Sequence, residues 1–416
     1  MEPINIDLAL DKHYLLPGNK HVAYLMIKLT APTEVNTGRP VQNLSFVIDR
    51  SGSMHGDKLN YTKKAVSFAI GHLGSQDYCS VVTFDDTVNL VSTSQKVENK
   101  DALIQSVMRI NSGGCTNLSG GMLQGLKEVK HNFKKEQINR VLILTDGQAN
   151  RGVTDRIRLI KKAGEMAAGG VTLSTFGLGE DFEEDLLMAM AEAGKGNFYY
   201  IQSPEQIPGI FEQELAGLLS TVAQNLNISV QPGAGVQITG VLGYPFTREN
   251  GIFINLPDMY SGESKIILTE LVVSPREEGT HNLLSLELAY ADVRKNLALV
   301  NLQASLEIRF TNHIGESPIE NFEVKKQVEL FRCAEAKEEA IRLADRGDFD
   351  GSKKVLYNQL MNMSQLIQVV DDADLADEVR ELGQSLSFMS EPHFNKEARK
   401  QMSYQAYNQK RGRRRK

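Results

Sequence analysis

The chain opens on a two-residue alternation. Ile4, Ile6, Leu8 and Leu10 are separated by Asn5, Asp7 and Ala9, which predicts a half-buried strand. Pro17-Gly18 marks a turn, and Val22–Thr30 predicts a second strand with Ala23, Leu25, Ile27 and Leu29 on one face. A polar loop over residues 32–40 follows, and then the period changes. Leu44-Ser45-Phe46-Val47-Ile48 is a largely apolar run of the kind a doubly covered parallel strand needs, and it stops at Asp49. Lys58–Leu73 carries Leu59, Thr62, Val66, Ile70 and Leu73 at helical spacing. Tyr78–Phe84 and Thr87–Ser92 read as a strand pair, and Asp101–Ile110 as a short helix. Strands Ile138–Thr145, Val171–Gly177 and Phe198–Ile201 then alternate with helices Thr154–Ala168, Glu183–Ala193 and Pro204–Leu219. Alternation of this kind predicts an α/β fold, a doubly wound and mostly parallel sheet with helices on both faces.

Beyond Ser220 the helical period disappears. Six strand patterns run from Leu226 to Phe310, the clearest at Ala304, Leu306, Ile308 and Phe310, with turns at Pro232-Gly233, Ser261-Gly262 and Glu278-Gly279. They suggest an antiparallel β-sandwich that needs the two N-terminal strands for completion. The expected organisation is therefore residues 1–40 as the first strands of the sandwich, 41–220 as an inserted α/β domain and 221–312 as the rest of the sandwich. Helical spacing returns at Val328, Phe331, Leu343 and Ala344, again from Phe349 to Met363, and again at Leu375, Val379, Leu382 and Leu386. The first two resemble one tetratricopeptide-type hairpin, but a plain helical appendage on the sandwich is the preferred expectation for residues 320–390. Residues 391–416 read as a polar tail ending R-G-R-R-R-K, expected to be disordered.

Composition changes this picture little. The 416 residues suffice for several domains, and the net charge of −6 gives no global pull on nucleic acid, which only the basic tail offers. Cys79, Cys115 and Cys333 are too far apart for a metal cluster, and three free thiols favour a reducing compartment. The start M-E-P-I-N-I-D lacks a basic-then-apolar leader pattern. No apolar run approaches the ~20 residues of a membrane span. A cytoplasmic location is the expectation.

The candidate chemistry lies where strands end. Val47–Met54 reads V-I-D-R-S-G-S-M, so Asp49, Ser51 and Ser53 crowd into one loop at the carboxyl end of a strand, where open α/β sheets bind ligands. One carboxylate and two hydroxyls suit a hard divalent cation such as Mg²⁺; the alternative is that Asp49 and Ser51 cap a helix and Ser53 shapes the turn. Asn111–Gly121, N-S-G-G-C-T-N-L-S-G-G, places Thr116 before a helix over Asn117–Phe133, and Val141–Gly152 ends another strand at Asp146. No P-loop, G-x-S-x-G elbow or H-E-x-x-H motif is present, and His55 alone lies near these loops.

D-R-S-G-S, the threonine of G-G-C-T-N and L-T-D-G, in that order, resemble the metal-ion-dependent adhesion site of von Willebrand factor A domains, over roughly Val41–Ser220. The resemblance implies a Rossmann-like fold and a metal site of Asp49, Ser51, Ser53, Thr116 and Asp146, the threonine and second aspartate binding directly or through water. The implied cofactor is Mg²⁺, with Mn²⁺ or Ca²⁺ as alternatives. Asp49 as the one direct anionic ligand would leave the cation positive and open to an Asp or Glu of a partner. The expected function is a metal-dependent protein-binding adaptor and not an enzyme; a metal-dependent hydrolase is the alternative, for which no base is evident. Bacterial relatives of this look imply an AAA⁺ ATPase as one partner class. The side chains of Asp49, Thr116 and Asp146 are expected at loop edges rather than in a core.

Overall fold

The computed structural model of the chain describes residues 2–33, 40–295, 297–312, 320–369, 372–390 and 393–412. It divides into two units, one of residues 35–224 with 292–298 and one of residues 1–34, 225–291 and 299–416.

Three strands come first: β1 (Asn5–Leu10), β2 (Tyr14–Leu15) and β3 (His21–Thr30). The α/β unit follows with β4 (Gln42–Asp49), α1 (Asp57–His72), β5 (Tyr78–Phe84), β6 (Val88–Lys96), α2 (Lys100–Met108), α3 (Leu118–His131), β7 (Ile138–Thr145), α4 (Arg156–Ala168), β8 (Thr172–Leu178), α5 (Glu184–Ala193), β9 (Lys195–Ile201) and α6 (Ile207–Leu219). The strand order is β6-β5-β4-β7-β8-β9, with β6 antiparallel to β5 and the remaining pairs parallel. From β4 the chain builds outward through β5 and β6, then restarts on the other side with β7. The topological switch point thus lies between β4 and β7, and β4 ends at Asp49 while Asp146 follows the last residue of β7.

Every residue of β4 and of β7 is buried, which is why Leu44–Ile48 and Val141–Leu144 read as largely apolar runs and not as alternation. Leu44, Phe46 and Ile48 on one face of β4 join a core with Leu59, Val66 and Ile70 of α1 and Phe211 and Leu215 of α6. Val47 on the other face meets α3 so closely that a Cβ on Gly125 would lie 2.5 Å from its Cγ2.

In the other unit, β3 pairs antiparallel with both β1 and β15 (Ser264–Val273), and β15 pairs with β11 (Val236–Leu242). A second sheet has the order β12-β13-β10-β16-β17-β2, where β10 is Thr221–Pro232, β12 Phe246–Arg248, β13 Ile252–Leu256, β16 Gly279–Asp292 and β17 Ala298–Phe310. β14 (Met259–Tyr260) pairs with β10, and β2 joins β17 in parallel. β2 and β3 are therefore hydrogen-bonded to strands that lie more than two hundred residues away in sequence, and β1 joins them through β3.

Four helices close the chain: α7 (Phe322–Ala344), α8 (Phe349–Ile367), α9 (Ala373–Phe388) and α10 (Lys396–Lys410). α7 lays Val324, Val328 and Phe331 on Met26 and Leu268 of the four-stranded sheet. The four helices share a core that includes Leu330, Ile341, Leu356, Met363, Leu382 and Met402. α10 corrects the expectation of a disordered tail over residues 391–416. Ala398, Met402 and Ala406 are buried at four-residue spacing, a narrow stripe that the surrounding polar residues hide from a reading by composition. The final R-R-R-K lies outside the described residues.

Candidate metal centre

Three loops meet at the switch point, and their backbones are laced together before any side chain is considered. Arg50 N–H donates to the Phe84 carbonyl at 2.9 Å, Gly113 N–H to the Arg50 carbonyl at 2.6 Å and Gly52 N–H to the Gly114 carbonyl at 2.9 Å. A Cβ on Gly113 or Gly114 would fall 1.9 or 1.8 Å from the carboxyl oxygen of Asp85 or Asp86, so this approach requires glycine. Arg50 points away from the centre, to Asp85 at 2.8 Å. Burial would raise Asp85, but hydrogen bonds from Thr87 and the Arg50 charge hold it below the usual carboxylate range.

Asp49 has no exposed surface; its Oδ1 accepts from Ser51 N–H at 2.8 Å and its Oδ2 from the Thr145 hydroxyl at 2.5 Å. Desolvation outweighs these bonds and pushes the carboxyl up to about 6. The Ser51 and Ser53 hydroxyls lie 3.2 Å apart, and Ser53 donates to Asp146 Oδ1 at 2.7 Å. Asp146 is also fully buried, and its Oδ2 accepts from Lys58 Nζ at 2.5 Å. Thr116 is held by its backbone: its N–H donates to Asn150 Oδ1 at 2.9 Å, and its carbonyl accepts from Asn150 and Arg151 N–H, both at 3.2 Å. Its hydroxyl lies where a Cβ on Gly147 would come within 2.9 Å, which puts it beside Asp146 along the chain.

Four of the sequence-predicted residues, Asp49, Ser51, Ser53 and Asp146, are thus linked directly by hydrogen bonds, and Thr116 is brought to the same loop cluster. The expectation that Asp49, Thr116 and Asp146 sit at loop edges and not in a core fails, because all three side chains are buried where the loops meet the strand ends. On the helix-cap alternative, Ser51 stands at the N-cap of a 3₁₀ turn over Gly52–Met54 and Gly56 at that of α1, and neither makes a side-chain capping bond. Three residues escaped the sequence reading. Thr145 stands beside Asp146 in L-T-D-G and could have been suspected. Asn150 and Lys58 carry no local signal, since their partners are distant in sequence. His55 is exposed, its ring nitrogen 3.0 Å from the Ser112 hydroxyl.

The donor set consists of oxygens only. Among the described residues no three of His, Cys, Asp and Glu gather into a metal-holding group. Two buried carboxylates with one ammonium leave one negative charge uncompensated beside three hydroxyls. Those groups fit a hard divalent cation that keeps part of its water, and they do not fit a soft metal.

Comparison with known proteins agrees with this fold. The von Willebrand factor type A domain family matches residues 43–213. The uncharacterized protein YfbK of Escherichia coli (strain K12) is 26% identical over 301 residues, which are 69% of this chain and 52% of that protein. The chain therefore spans about half the length of that relative. A von Willebrand factor type A structure from Catenulispora acidiphila superposes with a TM-score of 0.71 at 17% identity, covering 99% of this chain and 98% of that one. The ArnB paralog VWA2 from Sulfolobus acidocaldarius gives a TM-score of 0.65 at 17% identity, with 98% of each chain covered. At these identities the two structures speak for the fold alone. Residues 43–213 of this chain are a von Willebrand factor type A domain.

Proposed function

We propose that this protein is a metal-dependent protein-binding module in which a divalent cation, Mg²⁺ in the first place, recruits an Asp or Glu of a partner. One observation carries the reading. Asp49 and Asp146 stand buried at the carboxyl ends of the two strands that flank the switch point, facing the Ser51–Ser53 loop. Burying two carboxylates within one hydrogen-bonded group is costly unless cations compensate them, and the single ammonium compensates only one. Asp49, Ser51, Ser53 and Thr116 would hold the ion, with Asp146 supporting it through Ser53. The bound ion would supply a positive, oxygen-seeking centre at the loop surface. The chain's own groups do the rest: the Thr145 hydroxyl and Ser51 N–H orient Asp49, and Asn150 fixes the Thr116 backbone. We further read the two sheets of the other unit as a β-sandwich, into which the α/β unit is inserted.

Calorimetric titration of Mg²⁺ into the chelator-treated protein tests the site, beside a partner pull-down with and without chelator. Binding that Asp49→Ala removes supports the reading. Wild-type Mg²⁺ affinity and partner capture in Asp49→Ala would refute it.

A further inference from the structure

We propose that Lys58 is a resident cation of the metal centre that sets how tightly the centre holds a divalent ion. The inference rests on the metal-binding reading above and names a regulation of that same site. Lys58 belongs to the first turn of α1, four residues beyond Met54, and its side chain reaches back across the loop. Its ammonium lies 2.5 Å from Asp146 Oδ2, while Asp146 itself has no exposed surface. The far end of the side chain runs beside Gly179, where a Cβ would meet its Cε and Nζ at 3.4 Å. Gly179 has φ +70°, a conformation that suits glycine.

This ammonium has two consequences. In metal-free protein it compensates a carboxylate that would otherwise be buried alone, so the loops stay assembled. When a divalent cation approaches the Asp49, Ser51 and Ser53 oxygens, the same ammonium stands on Asp146, which Ser53 also contacts. Like charges that share one carboxylate repel, and the repulsion is felt through Asp146, which has no exposed surface, although the Lys58 side chain itself is 28% exposed. The centre therefore holds its ion weakly on its own. A carboxylate from a partner adds the negative charge that offsets Lys58, so ion and partner bind with positive coupling. By linkage, each raises the affinity of the other by the same factor.

The experiment compares wild type, Lys58→Met and Lys58→Arg. Each is titrated calorimetrically with Mg²⁺ alone, and each is melted after EDTA treatment with and without added Mg²⁺. Lys58→Met is expected to bind Mg²⁺ about tenfold tighter or more, because a repelling charge has been removed. Its EDTA-treated form should melt below EDTA-treated wild type, and Mg²⁺ should close the gap. Lys58→Arg keeps the charge and should stay near wild type in both measurements. Equal or weaker Mg²⁺ binding by Lys58→Met overturns the proposal while leaving the metal site standing. Lys58→Arg behaving like Lys58→Met also overturns it, since shape and not charge would then matter. Absence of Mg²⁺ binding in all three, with no effect of Asp49→Ala, overturns the metal reading and this inference together.

Discussion

Asp49, Thr116 and Asp146 occupy unlike positions in the centre, and their substitutions should separate accordingly. Asp49→Ala removes the carboxylate that faces both Ser51 and Thr145, and it should abolish Mg²⁺ binding in a calorimetric titration. Asp146 touches the serine loop through Ser53 and is shared with Lys58. Asp146→Ala should weaken Mg²⁺ by ~10–100-fold, the usual size for a group that supports a ligand rather than being the main one. Thr116→Ala leaves both carboxylates and their bonds in place. Its Mg²⁺ affinity should change least of the three, while partner capture in a pull-down should suffer. Equal loss of Mg²⁺ affinity in all three variants would contradict this division of roles.

Two helices show how elements are fixed around the centre. α6 carries Glu214, buried with Arg140 of β7 at 3.0 Å and bonded to Ser174, Asn197 and Tyr199 at 2.6, 2.6 and 2.7 Å. Burial alone would raise its pKa, but the Arg140 charge and these three donors hold it below the ordinary glutamate value of 4.5. A depressed carboxyl stabilises the fold fully above pH 4.5, and that stabilisation is lost as pH falls through the folded-state pKa. Glu214→Ala leaves Arg140 buried without its partner and should cost about 3–5 kcal/mol in urea denaturation at pH 7. The deficit should shrink as pH drops below 4.5. α3 poses the opposite problem, closeness without charge. Gly125→Ala gains intrinsic helix propensity but thrusts a methyl at Val47, and should lose about 1–3 kcal/mol. Gly71→Ala in α1, with nothing within 4 Å of the new Cβ, should instead gain about 0.5–1 kcal/mol. A stabilising Gly125→Ala would show that α3 and β4 can move apart freely.

For the whole molecule, the proposed insertion makes unequal deletions. Replacing residues 41–220 by a short linker should leave a folded remainder, because both sheets of the other unit draw their strands from outside that range. Deleting Ile4–Leu29 should unfold that remainder. The deletion removes β1 and most of β3, and β3 is the strand between β1 and β15. Circular dichroism and proteolysis would check both; a stable Ala223–Phe310 fragment lacking the N-terminal strands would argue against a shared sheet. At the other end, truncation after Gly412 should be neutral, whereas truncation before Lys396 removes Met402 from the helical core and the Lys410–Glu338 ion pair at 2.6 Å. That second truncation should lower the melting temperature.

The sequence by itself determined the α/β alternation, the strands that lead into Asp49 and Asp146 and the order of the three loops. Those features are local: a buried strand announces itself by a largely apolar run, and a loop by its glycines and hydroxyls. It also marked the N-terminal alternation as strand, since period two is written in adjacent residues. What it could not reach were pairings between residues far apart. Only the tertiary structure set β3 against β15, closed the loops until Asp49 and Asp146 lost all solvent, and gathered α10 into the helical core. Lys58 is the plainest case. In sequence it is one more cation on a polar helix turn. In the fold it meets a carboxylate 88 residues away, because the switch point brings the ends of β4 and β7 side by side, and only there does its charge acquire a partner.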